Sequence, residues 1–276
     1  MRYININSKI TEASSACISH DNRGFKYGYG LFETMLFKEN EIQLKEYHWE
    51  RLLSGLKQLY FNIPTLMNEA WLEEEVSQTV KRNKLEKLCR VRLQIYAGEG
   101  GIIGAANQKP EFIIECFPLD EKILQLNENG LVIGIADNLK KSIDSLANLK
   151  SCSALIYAIA SRQANERKWN DALILNSYNN IIESTIANIF WIKDDNVYTP
   201  PLSDGCVEGV MRKHLITCFS EKGTTVTEKS ISENELLNAD EVFLTNAIRR
   251  IKWVKALNGK EYISHKTQII YKTLFV

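Results

Sequence analysis

The chain has 276 residues, 45% of them hydrophobic and 25% charged, a composition that builds an ordinary folded core and excludes a disordered or fibrous chain. Lysine plus arginine and aspartate plus glutamate both number 34, so no global field draws the protein to nucleic acid or to an acidic membrane. The length exceeds that of a typical single domain and points to two.

In chain order, Met1 to Ile10 mixes polar and apolar residues without a basic start or an apolar run, and does not read as a signal peptide. Tyr47 to Tyr60 places Leu52, Leu53, Leu56 and Leu59 on one stripe of a helix, and Leu72 to Asn83 gives a second, more polar helix. Arg90 to Ile95 alternates in the manner of a half-buried strand, and Phe112 to Phe117 supplies a partner for it in one sheet. Between them Gly98, Gly100, Gly101 and Gly104 mark a loop.

Pro118 to Lys122 reads as a linker. The expected organisation is a small N-terminal domain over 1–118, a linker over 119–123 and a larger C-terminal domain over 124–276. The second part opens with a strand from Leu131 to Ala136, followed by a helix predicted from Ser151 to Lys168 and strands at Ala172 to Leu175 and Ala187 to Ile192. A helix opens at Gly209. Another starts near Ser232, where Ser232 and Glu235 form a capping-box pattern, and a strand from Glu241 to Thr245 follows. Strands mingled with helices indicate α/β or α+β architecture.

Cys17, Cys89, Cys116, Cys152, Cys206 and Cys218 are scattered without a CxxC pair, the pattern of reduced thiols in a cytoplasmic protein. His20, His48, His214 and His265 lack metal-ligand spacing, so no metal is expected. No apolar run is long enough to span a bilayer, so no membrane association is expected. Periodicity alone singles out no lysine or glutamate as chemical.

Five segments in order change that. They are Asn22-Arg23-Gly24-Phe25-Lys26-Tyr27-Gly28-Tyr29-Gly30-Leu31-Phe32-Glu33-Thr34; His48-Trp49-Glu50-Arg51-Leu52; Asn148-Leu149-Lys150-Ser151; Leu175-Asn176 through Ile182-Glu183-Ser184-Thr185 to Asn188-Ile189-Phe190; and Gly205 to Arg212 with Asp240 to Ile251. Together they resemble the fold-type IV enzymes that use pyridoxal 5′-phosphate (PLP), a family of branched-chain aminotransferases, D-amino acid aminotransferases and aminodeoxychorismate lyases. The resemblance runs over nearly the whole chain. It implies an α+β fold of two α/β domains like that of D-amino acid aminotransferase, PLP bound by the larger C-terminal domain, a small-molecule amine substrate and a homodimer.

Residue by residue, the resemblance makes Lys150 the catalytic lysine that bonds to the cofactor and then moves the substrate proton. Taken alone it reads as one more solvated lysine. Glu183 matches the carboxylate beside the pyridine nitrogen; its bland reading is a turn carboxylate after Asn179-Asn180. The phosphate would sit on the helix opening at Gly209 and Val210, with Arg51 adding a guanidinium and Thr245 and Asn246 adding polar donors. Otherwise Arg51 is a helix arginine paired with Glu50 or Glu46. Tyr27 and Phe32 are candidates for the substrate pocket, or simply core.

Three details resemble aminodeoxychorismate lyase, which converts 4-amino-4-deoxychorismate to 4-aminobenzoate and pyruvate for folate synthesis. They are Glu208-Gly209-Val210-Met211-Arg212, Thr245-Asn246-Ala247-Ile248 and the Gly98 to Gly101 loop. The alternative is an aminotransferase of branched-chain L-amino acids or of D-amino acids; a PLP-binding protein without turnover is a third reading. One departure stands out. Where family members often carry an arginine for the substrate carboxylate, this chain has Ile102 and Ile103, which leaves Arg92, Arg249 or Arg250 as the replacement, Arg250 the best placed because it follows the phosphate loop.

Overall fold

A computed structural model describes residues 2–104 and 107–276. Among these the chain divides into two units, residues up to Lys122 with Leu149–Ser153, and Ile123–Asn148 with Ala154–Val276.

The first unit contains β1 (Tyr3–Ile6), β2 (Lys9–Glu12), α1 (Arg23–Tyr27), β3 (Gly30–Lys38), β4 (Glu41–Ile42), α2 (Lys45–Gln58), α3 (Glu69–Asn83), β5 (Leu88–Ala97) and β6 (Pro110–Pro118). Its strands pair antiparallel in the order β2-β1-β6-β5-β3-β4. The alternation of β5 sends Val91, Leu93 and Ile95 to one face, where they meet Met35 and Ile114, Leu52 and Leu56 of α2, and Leu72, Val76 and Val80 of α3. Each fully buried aliphatic side chain contributes roughly 2 kcal/mol, so the apolar stripes hold these helices far more firmly than their intrinsic propensity does. Helix α3 begins three residues before its first buried leucine because Asn68 caps it, accepting from the Trp71 amide at 2.9 Å.

The second unit contains β7 (Leu131–Lys141), α4 (Leu155–Glu166), β8 (Asp171–Asn176), β9 (Ile181–Ser184), β10 (Asn188–Lys193), β11 (Asn196–Thr199), α5 (Val210–Glu221), β12 (Val226–Glu228), α6 (Glu233–Leu237), β13 (Glu241–Asn246), β14 (Arg250–Leu257), β15 (Lys260–Glu261) and α7 (His265–Phe275). The strand order is β12-β11-β10-β13-β14-β7-β8-β9, with β15 on β14. β14 to β7 and β7 to β8 run parallel. β9 also pairs with β10 through Asn188 and Glu183, which closes six strands into a ring. The capping box at Ser232 forms, with Ser232 N 2.9 Å from Glu235 Oε2 and Glu235 N 3.3 Å from Ser232 Oγ.

One predicted helix starts late. Residues 151–154 lie outside α4 because the preceding segment is laid along β3 as an extended strand: Phe32 N donates to Lys150 O and Cys152 N to Gly30 O, both at 2.9 Å. The helix begins only after this backbone pairing ends. Among the described residues, no helix is long and apolar enough to cross a membrane, and no group of histidine, cysteine and carboxylate side chains could hold a metal.

Candidate active site

In the first unit the extended pairing fixes Lys150 opposite β3, where Leu31 and Ser151 face each other in an antiparallel bridge. The Lys150 ammonium sits 4.4 Å from the centre of the Phe32 ring, and the Arg92 guanidinium carbon 3.9 Å from the same point. The guanidinium carbon therefore lies no further from the ammonium than the sum of the two, about 8.3 Å. Arg92 is half-buried, which lowers its proton affinity, and Gln94 Oε1 accepts one of its N–H groups at 3.0 Å. Three of the sequence candidates are thus brought together. Tyr27 instead closes α1 as an exposed side chain, followed by Gly28 in the left-handed conformation at φ 65°.

Arg51 bonds Glu33, eighteen residues earlier, through Nε at 2.8 Å and a second bond from Nη2. Glu33 is buried in the middle of β3, and its Oε2 also faces His48 Nδ1 at 2.6 Å. Burial alone would push the Glu33 carboxyl up, yet Arg51 and His48 outweigh it and hold the group at about 2. Burial pushes His48 below its ordinary value, so the ring is neutral. A carboxylate can only accept, so the proton is on Nδ1. His48 Nε2 is then a bare acceptor, buried and without a partner among the described residues. The Lys150 charge acts on the same ring.

In the second unit the sheet closure sets Glu183 opposite Asn188, and Asn188 in turn pairs with Thr245. Glu183 is 3% exposed and takes three donors: Lys141 Nζ at 2.6 Å and Tyr157 OH at 2.8 Å on Oε1, and Val207 N at 2.9 Å on Oε2. Asn188 Nδ2 donates to Val207 O at 2.9 Å, and its Oδ1 lies against Gly209, where a Cβ would come within 1.8 Å. Any other side chain at that position would have to displace Asn188. As the N-cap of α5, Gly209 offers no side chain to the amides of Val210 and its neighbours, and the first turn carries no acidic residue.

Thr245 Oγ1 donates to Arg250 O at 2.8 Å, while Asn246 Oδ1 accepts from the Ile248 and Arg249 amides and Nδ2 donates to Ile186 O at 3.2 Å. The Thr245 hydroxyl is thus committed within the turn after β13, while Asn246 donates across to the β9–β10 link. Arg250 extends over the Phe275 ring of α7, 5.0 Å from its centre. Glu183, Asn188, Gly209, Thr245 and Asn246 form one neighbourhood, and Arg250 points its guanidinium at α7.

Four residues of these clusters receive no role from the sequence reading: Glu33 and His48, which stand inside the quoted segments, and Lys141 and Tyr157, which stand outside them. Glu33 had the clearest available sign, a carboxylate between apolar residues of a strand, which requires a buried cation. Lys141 and Tyr157 had none, being 42 and 26 residues from Glu183 in sequence.

The profile of the amino-transferase class IV family matches residues 30–257. An aminodeoxychorismate lyase of Bacillus subtilis is 30% identical over 251 residues, covering 90% of this chain and 84% of the relative. Among solved structures, a putative 4-amino-4-deoxychorismate lyase of Legionella pneumophila superposes with a TM-score of 0.85 at 28% identity, covering 95% and 96% of the two chains. A branched-chain aminotransferase of Thermoproteus uzoniensis shares the fold with a TM-score of 0.89 at 23% identity, over 99% and 93%. With the matched span running from the first residue of β3 to the last of β14, through both clusters, the chain belongs to the class IV amino-transferase family and has its α+β fold.

Proposed function

We propose that this protein is a cytoplasmic, PLP-dependent lyase that converts 4-amino-4-deoxychorismate to 4-aminobenzoate and pyruvate for folate synthesis. What supports the choice of reaction is the likeness, along almost the whole chain, to lyases of that name. Six cysteines without a disulfide suit a reducing compartment.

The residues fit the cofactor. An uncapped helix N-terminus at Gly209 and Val210 suits a phosphate, and Arg51, held in place by Glu33, would add a guanidinium to it. Thr245 and Asn246 would shape the adjoining turn. Glu183 has about four acceptor positions and uses three, which leaves one on Oε2 for a ring N–H. When bound, PLP supplies an aldehyde for an amine and a ring that withdraws electrons from the carbon bearing that amine.

Lys150 would bond to the cofactor and, once the substrate amine takes its place, accept the proton from the amine-bearing carbon. Loss of that proton lets the C–O bond to the enolpyruvyl group break, the ring become aromatic and the departing enol take up a proton as pyruvate. Atoms balance without an added reagent. Arg92 would pair with a substrate carboxylate, filling the role that Ile102 and Ile103 cannot, and Phe32 would hold both cations in place.

The test is incubation of the PLP-loaded protein with 4-amino-4-deoxychorismate, reading 4-aminobenzoate by fluorescence and pyruvate by a coupled dehydrogenase. Equal amounts of both products, abolished in Lys150→Ala, are expected. Conversion of bound PLP to its pyridoxamine form by an L- or D-amino acid, with no 4-aminobenzoate formed, would make the protein an aminotransferase instead.

A further inference from the structure

The Glu183 cluster contains a charge that the proposed chemistry does not use. Strand β7 runs parallel to β8 until a register shift between Ile135 and Lys140, after which Lys140 faces Leu175 and Lys141 faces Asn176. A bulge re-aims the side chains that follow it. Here Lys140 goes out to the exposed Asn179, while Lys141 turns inward to Glu183, its side chain only 11% exposed. The ammonium also lies 5.4 Å from the centre of the Tyr157 ring.

The three donors divide unequally. Lys141 and Tyr157 both bind Oε1, so that oxygen is saturated and the carboxylate cannot rotate, and the open position is on Oε2. Tyr157 stays a donor because burial, and then Glu183 itself, push its hydroxyl up. Cys206 is buried nearby, its thiol pushed up first by burial and then by Glu183, and Lys141 also acts on the exposed Asp144. Among the described residues, Lys141 is the cation that bonds to Glu183.

We propose that Lys141 is a positioning residue that orients Glu183 and, by partly cancelling its charge, weakens the hold of the carboxylate on the proton of a bound pyridine nitrogen. This rests on the reading of Glu183 as the ring-nitrogen partner. A full carboxylate charge would lock the ring in its protonated form; a carboxylate shared with an ammonium lets the ring release its proton at a lower pH. An ammonium bonded to that carboxylate in a partly buried site is expected to move such a titration by about one to two pH units.

The experiment is ¹⁵N NMR of the holoprotein loaded with PLP labelled at the ring nitrogen, followed from pH 6 to 10. Lys141→Gln, which keeps a donor but no charge, is expected to raise the titration midpoint by about one to two units. Lys141→Met serves as a second neutral variant, and Lys141→Arg should stay at the wild-type value. A midpoint unchanged in the neutral variants, or a wild-type ring that keeps its proton to pH 10, overturns the proposal. Glu183→Gln separates the two levels. If its ring nitrogen titrates as in wild type, Glu183 is not the partner and the underlying reading falls; if it shifts while the Lys141 variants do not, only the role of Lys141 falls.

Discussion

Replacing Glu33 by glutamine tests how the first unit holds Arg51. The carboxyl lies at about 2 against an ordinary value of 4.5, with Arg51 and His48 overcoming its burial. A displacement of that size corresponds to about 3 kcal/mol of folding stability. This falls in the range measured when one member of a buried ion pair is removed. The sign follows from the depressed folded value: the contribution is fully present above 4.5 and is lost as pH falls toward 2. Urea unfolding of wild type and Glu33→Gln should therefore differ by about 3 kcal/mol at pH 7. The gap should narrow steadily between pH 4.5 and the lowest pH at which wild type still folds. A gap that stays constant over this window would mean that packing, and not charge, carries the effect of the substitution.

Arg92→Leu should raise KM for the carboxylate substrate roughly 10- to 100-fold with a smaller change in kcat, as expected for a lost charge-assisted hydrogen bond. Arg250→Ala, whose guanidinium lies on Phe275, should leave KM within about twofold; steady-state kinetics on both variants distinguishes the two arginines. In Gly209→Ala the new Cβ must displace Asn188, 1.8 Å away, and disturb the start of α5. A loss of PLP affinity of at least about tenfold, measured by fluorescence titration, is expected. We propose a homodimer with contacts at Phe25, Ile102 and Ile103, which are exposed by 78%, 78% and 73%. Ile102→Glu with Ile103→Glu should shift the protein toward monomer in sedimentation, and an unchanged dimer would remove these residues from the interface.

The elements with strong periodicity were legible in the sequence. The stripe of Leu52 and Leu56 marks α2, the alternation of Val91, Leu93 and Ile95 marks β5, and the Ser232 box marks α6, because each signal is local and has a local physical cause. The extended run at Leu149–Ser153 was not legible. Its conformation comes from hydrogen bonds to Gly30 and Phe32, more than a hundred residues away, and the same residues read locally as the first turn of a helix. The site divides in the same way. The motifs single out Lys150, Glu183 and Arg51 by likeness, while the Glu33 that Arg51 bonds lies across on β3, where no spacing along α2 points to it. Donors brought to Glu183 by a bulged strand and a separate helix leave no trace in spacing.

The ring of strands in the second unit is sealed at a single rung, Asn188 against Glu183. Because side chains alternate along a strand, slipping this rung by one place would turn the acid to the opposite side of the wall and carry Asn188 away from the helix start. The three residues linking β9 to β10, Thr185, Ile186 and Ala187, thus act as a spacer of fixed length. Loops elsewhere on such a scaffold can lengthen or shorten at little cost, whereas an insertion here would misfile the acid even if every strand still formed.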